Sequence, residues 1–158
     1  MDRLEISSAL QRAADYIDAH GLNSGGFGDS GGPVCVNAAI AIGVGAAPST
    51  LGRWVFFRRG LTAEARLVAE VIVRSRLLEI LPPPASPAWV RRRARPSQLD
   101  ERAVLAEVAR WSDAPGRTGA QAVGGLRARA RAVLTEPLAG YRTEGSYQTA
   151  LVLSPARA

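Results

Sequence analysis

Glycine occupies positions 21, 25, 26, 28, 31 and 32, and proline follows at 33, between an amphipathic pattern ending at His20 and an apolar run from Val34 to Val44. A regular helix or strand does not cross such a cluster, because glycine weakens helices and strands and admits positive φ. The chain must therefore open as a helix, turn through a loop, and then bury a short apolar segment. The loop also reads as three unrelated signatures. Phe27-Gly-Asp-Ser-Gly-Gly-Pro-Val-Cys35 matches the active-serine segment of trypsin-like proteases, Gly28 to Gly32 matches Gly-x-Ser-x-Gly, and Gly26 to Gly31 matches Gly-x-Gly-x-x-Gly. Each needs a context that is missing. A protease serine follows an upstream histidine, an aspartate and a β-barrel, and the other two motifs follow a strand. Only one amphipathic helical pattern precedes Ser30, so the serine protease reading is excluded.

The 158 residues suit one domain, taken as residues 1–158, that buries a core without disulfides. The single cysteine, Cys35, and single histidine, His20, exclude a Cys/His zinc cluster, so neither metal nor cofactor is expected. No apolar stretch reaches membrane-spanning length, and the acidic, amphipathic N-terminus does not resemble a secretory leader; the expectation is a cytoplasmic protein without a membrane partner. All 20 basic residues are arginine, and the net charge is +6. Such a balance favours anionic partners, although an alanine- and arginine-rich composition also follows from GC-rich coding.

Helix signals recur along the chain. Asp2 with Glu5 makes a capping box ahead of Ile6, Leu10, Ala13, Ala14 and Ile17. Residues 34–44 are too short for periodicity to separate helix from strand; their alanines favour a helix with Pro33 at its first position. Trp54 to Phe57 reads as an aromatic anchor on the core. Thr62 caps a helix carrying Leu67, Val68, Val71, Ile72 and Leu78 on its inner face, with Glu70 and Arg74 paired at i,i+4. Pro82 to Pro87 is an extended connector, and Ser97 and Asp100 signal another start before Val104, Leu105, Val108 and Trp111. Thr118 and Gln121 cap a last helix with Val123, Leu126, Ala130, Val133 and Leu134 inward. Tyr147 to Leu153 reads as a short strand or strap. The expected fold is mainly α, a compact bundle of four or five helices with minor β structure at the C-terminus.

The glycine loop ending in Gly-Gly-Pro-Val-Cys35, together with Trp111-Ser-Asp-Ala-Pro-Gly-Arg-Thr118, resembles a family of small actinobacterial proteins of unknown function. In these, a cysteine follows a glycine-containing loop, and a Trp-Asn-Asp-x-Pro-Gly-Arg-Thr turn comes near the end. The resemblance covers about residues 4–135. Ser112 replaces the usual asparagine, Asn37-Ala38 stand where a small residue and glycine are commoner, and 82–96 looks like an insertion. What the resemblance implies is kinship and fold, without a reaction.

The candidate residues each have a plain reading beside a functional one. Trp111, Asp113 and Thr118 explain a structural turn, whereas Arg117 beside Asp113 would make an anion clamp. Cys35 is a small buried residue, or, in the first turn of a helix, a thiol biased toward thiolate, with His20 as its base if the loop folds back. His20 otherwise serves as a charge partner at a helix C-terminus. Arg91, Arg92, Arg93 and Arg95 form a solvated run or, with Trp89, a nucleic-acid contact; Arg127, Arg129 and Arg131 crowd a later helix. The composite reading is a small binding or accessory module for an anionic small molecule or a protein partner. The alternative is a small enzyme with a pocket between the loop and the 111–118 turn, carrying Cys35, Asp113 and His20. A nucleic-acid-binding protein is the second alternative.

Overall fold

The computed structural model describes residues 1–49, 61–81 and 101–141. The expected anchor at Trp54 to Phe57, the proline connector, Trp89, the arginines at 91–95, the start at Ser97 and Asp100 and the strap at 147–153 lie outside the described residues. Six helices are described, and the fold is mainly helical: α1 Arg3–His20, α2 Val36–Gly43, α3 Ala63–Arg74, α4 Leu77–Ile80, α5 Glu101–Asp113 and α6 Gly119–Thr135.

Local chemistry sets several of the boundaries. Asp2 accepts from the Glu5 N–H at 2.8 Å while the Glu5 carboxylate accepts from the Asp2 N–H at 2.6 Å, closing the capping box on α1. Gly21, at φ 92°, ends α1, with its N–H returning to Ile17 O at 2.8 Å. Thr62 caps α3 through the Ala65 N–H at 3.1 Å, and Thr118 and Gln121 exchange bonds at 3.2 and 3.1 Å to open α6. These are three-residue interactions, which is why spacing alone reveals them.

α1 is the hub, packed against α6 and α2, and α2 reaches α3 and α5 on its other sides. Every α2 residue from Val36 to Ala41 is buried, as suits a helix apolar on every side apart from Asn37. The approach of α1 to α2 is close enough that a Cβ on Gly43 would lie 2.2 Å from Ala9 O. Arg12 reaches from α1 to cap the end of α2, its Nε donating to Gly43 O at 2.8 Å.

Three expectations need correction. Pro33 is not the first residue of α2: Val34 is extended, pairing with Leu22 and Gly28, and Cys35 is the N-cap. The Val34 N–H and C=O bond Gly21 and Asn23 at 3.3 and 3.0 Å, so they hold the base of the loop. The pattern from Thr62 to Leu81 is two helices, because Arg76 takes a left-handed conformation at φ 55°; Glu70 and Arg74 pair at 3.0 Å as expected, but Leu67 is 38% exposed and Leu78, on α4, is only partly buried. On α6, Val123, Leu126, Ala130 and Val133 are buried, whereas Leu134 is 46% exposed. Arg129 of the same helix is buried instead, with its Nε donating to Ser75 O and its Nη1 3.1 Å from Glu136.

Candidate functional site

The glycine loop from Leu22 to Val34 is pinned at its base and at two outer points. At the base, the Cys35 N–H donates to Phe27 O at 3.3 Å. Gly28 lies at φ +77°, and a Cβ there would sit 2.1 Å from Pro33 O, so neither the turn nor the close approach admits a side chain. Farther out, the Gly31 N–H donates to the Tyr16 hydroxyl at 2.7 Å, and the Gly25 N–H donates to Asp113 Oδ1 at 2.7 Å. The second latch ties the loop to the end of α5, 88 positions away.

Between the loop and α5 lies a cleft of about 130 Å³, lined by Gly25, Gly26, Phe27, Cys35, Ala109 and Asp113. Cys35 is 3% exposed at its inner end. Burial, followed at a distance by the nearby Asp113 charge, pushes the thiol up to about 11, and the backbone amides of Ala38 and Asn37 offset this only in part. The expected thiolate bias at a helix start is thus reversed, because desolvation of the charged form outweighs the helix amides. At neutral pH the cleft presents a protonated thiol and one carboxylate.

His20 does not line the cleft. It is exposed in the last turn of α1 and stacks on Tyr16, with ring centroids 4.3 Å apart. Trp111 is buried on the inner face of α5, and the Arg117 guanidinium lies over it, 4.9 Å from the ring centroid. The structure therefore brings Cys35 and Asp113 together around one space and sets His20, Trp111 and Arg117 outside it. Among the helix α6 arginines, Arg127 bridges Asp15 and Asp18 of α1 at 3.0 Å each, and Arg129 is internal. Arg131 borders a wider groove of about 460 Å³ between α1 and α6, with Ser7, Ser8, Gln11, Arg12, Ala130 and Leu134. That groove is the larger, but it is formed by two helix flanks, and its Arg12 guanidinium is already bonded to Gly43 O.

Sequence reasoning missed several positioning residues. Ser112, fully buried, accepts from the Val36 N–H at 3.3 Å and donates to Val108 O at 3.1 Å, joining α5 to the first residue of α2. A serine among the apolar residues on the inner face of α5 was the available signal. Asn37, also fully buried, donates to Leu105 O at 2.8 Å, while its Oδ1 has no hydrogen-bond partner among the described residues. Ala109 and Tyr16 carried no sequence signal, since alanine in a helix and a tyrosine near its end are ordinary.

Among the described residues, no group of three or more His, Cys, Asp or Glu side chains could hold a metal ion, and no helix is long and apolar enough to cross a membrane. Compared with known families, residues 1–132 match the model of DUF6197, a family of unknown function, and the chain belongs to that family. No curated protein and no solved structure matches it.

Proposed function

We propose that this DUF6197 protein is a small binding module that receives a side chain of a protein partner in the cleft between the glycine loop and α5. The observation that carries this reading is the cleft itself: the stretch from Gly25 to Cys35 and helix α5, distant in sequence, converge on it, and the loop's shape is held by bonds that leave the space open. Its chemistry favours recognition over catalysis. A nucleophilic thiol needs a lowered pKa or an adjacent base, whereas Cys35 is pushed up to about 11 and His20 lies outside the lining. The acidic side chain of Asp113 in the lining opposes an anionic small molecule and leaves the protein partner as the better supported choice.

The test uses amide NMR spectra of the full chain titrated with a panel of small neutral, cationic and anionic fragments. Saturable shifts centred on Gly25, Gly26, Phe27, Cys35 and Asp113, and lost in Ala109→Leu, are expected, since leucine would fill the cleft from a helical position. Absence of such shifts across the panel, or their survival in Ala109→Leu, refutes the reading. Stoichiometric acylation of Cys35 by an activated ester at neutral pH would instead favour a small enzyme.

A further inference from the structure

Taking the cleft as a recognition site, the geometry points to a single primary ammonium group as its ligand, the end of a lysine side chain on the partner protein. Volume is the first constraint. A cleft of about 130 Å³ has room for an ammonium and a few methylenes, since a cavity of roughly 150 Å³ accepts a ligand the size of benzene. Charge is the second. The lining contains no arginine or histidine, and the thiol stays protonated, so Asp113 is the acidic side chain the lining offers to a ligand.

Asp113 is also positioned for the task. Its Oδ1 is held by the Gly25 N–H at 2.7 Å, which orients the carboxylate and leaves its other oxygen to accept from a ligand. Arg117, four residues on, lies over Trp111 and does not line the cleft. An ammonium offers three donors on a compact charge, and its flexible apolar stem can lie along the surfaces of Phe27 and Ala109. A guanidinium is planar and wider, while a carboxylate or phosphate would meet like charge. A transition metal would find one carboxylate and one protonated thiol, short of the ligand count such ions require.

The experiment titrates the full chain, observed by amide NMR, with Nα-acetyl-lysine N-methylamide, its Nε-acetylated counterpart and n-butylammonium chloride. Asp113→Asn is run in parallel, because asparagine keeps the acceptor for Gly25 while removing the charge. Expected are saturable shifts at Gly25 and Gly26 with the lysine compound and with n-butylammonium. Nε-acetylation or Asp113→Asn should weaken them roughly fivefold, the size of an exposed ion pair. Equal binding of the Nε-acetylated compound overturns the ammonium assignment and leaves the cleft as a recognition site. Binding of n-butylammonium without the lysine compound overturns the partner lysine in favour of a free amine. If these compounds are silent while other fragments shift the same amides, the ligand class is wrong; if the whole panel is silent, the binding reading falls with it. Should Asp113→Asn fail to fold, the charged and Nε-acetylated pair on the parent chain decides.

Discussion

Gly43→Ala tests whether the α1–α2 contact is as close as described. An added Cβ would meet three backbone atoms of Ala9, at 2.2 Å from O, 3.0 Å from C and 3.3 Å from Cα. An ordinary carbon–oxygen contact is about 3.3 Å or more, so the helices would have to part by about 1 Å. Neither side can yield by a rotamer change, because the obstacle is backbone and α1 is packed on α6 as well. Overpacking of this kind costs about 1–3 kcal/mol. Against it stands the gain of about 1 kcal/mol for alanine over glycine within a helix, here reduced at a terminal position. The net expectation is a loss of about 0.5–2.5 kcal/mol, with the Arg12 bond to Gly43 O weakened as the helices separate. Gly124→Ala is the internal standard: it lies in α6 with no atom within 4 Å of the new Cβ, so only the propensity gain remains. Urea unfolding of both variants and the parent, followed by far-ultraviolet circular dichroism, gives the comparison. A Gly43→Ala variant as stable as Gly124→Ala refutes the close approach.

The Cys35 thiol carries a stability consequence at alkaline pH. Its folded value of about 11 stands above the ordinary 9.0, so its contribution is fully present below 9.0 and is lost as pH rises through about 11. The loss amounts to at most about 3 kcal/mol, and subtracting the same pH series for Cys35→Ala removes the parallel upward shift of Tyr141 beside Glu101. A parent and Cys35→Ala that fall equally across that range would contradict the burial argument. Asp113→Ala should release the latch on Gly25 and speed methylthiolation of Cys35 by a small thiosulfonate, whereas Asp113→Asn should label at about the parent rate; equal rates in all three would show that the latch does not shield the thiol. Thr118→Ala should lower stability by about 1 kcal/mol through loss of the α6 cap, read in the same urea assay, and an unchanged midpoint would exclude it. Arg117→Lys keeps the charge but loses the planar contact with Trp111; it should cost no more than about 1 kcal/mol and leave fragment shifts at Gly25 and Gly26 intact, so their loss would place Arg117 at the site after all.

What could be read along the chain was whatever is decided within a few residues. Asp2 with Glu5, Thr62, and Thr118 with Gln121 announce three helix starts because each cap joins positions three apart, and the inner stripes of α1 and α5 follow from helical period alone. The pairing of Glu70 with Arg74 was legible for the same reason. Once the outcome depended on which neighbour arrived from elsewhere, period ceased to be enough. Leu67 and Leu134 have the right type for the core but stay partly exposed, while Arg129, which no hydrophobic pattern would place inside, is buried and bonded to the Ser75 carbonyl and Glu136. The start of α2 moved from Pro33 to Val36 because the Val34 peptide groups are claimed by Gly21 and Asn23 across the loop. Cys35 and Asp113 could be singled out by residue type, but their meeting around one cleft rests on a loop bent at Gly28 and latched to α5 from 88 positions away. The state of the thiol was likewise a tertiary outcome: local helix amides favour the anion, and burial by the surrounding chain, which no local spacing records, outweighs them.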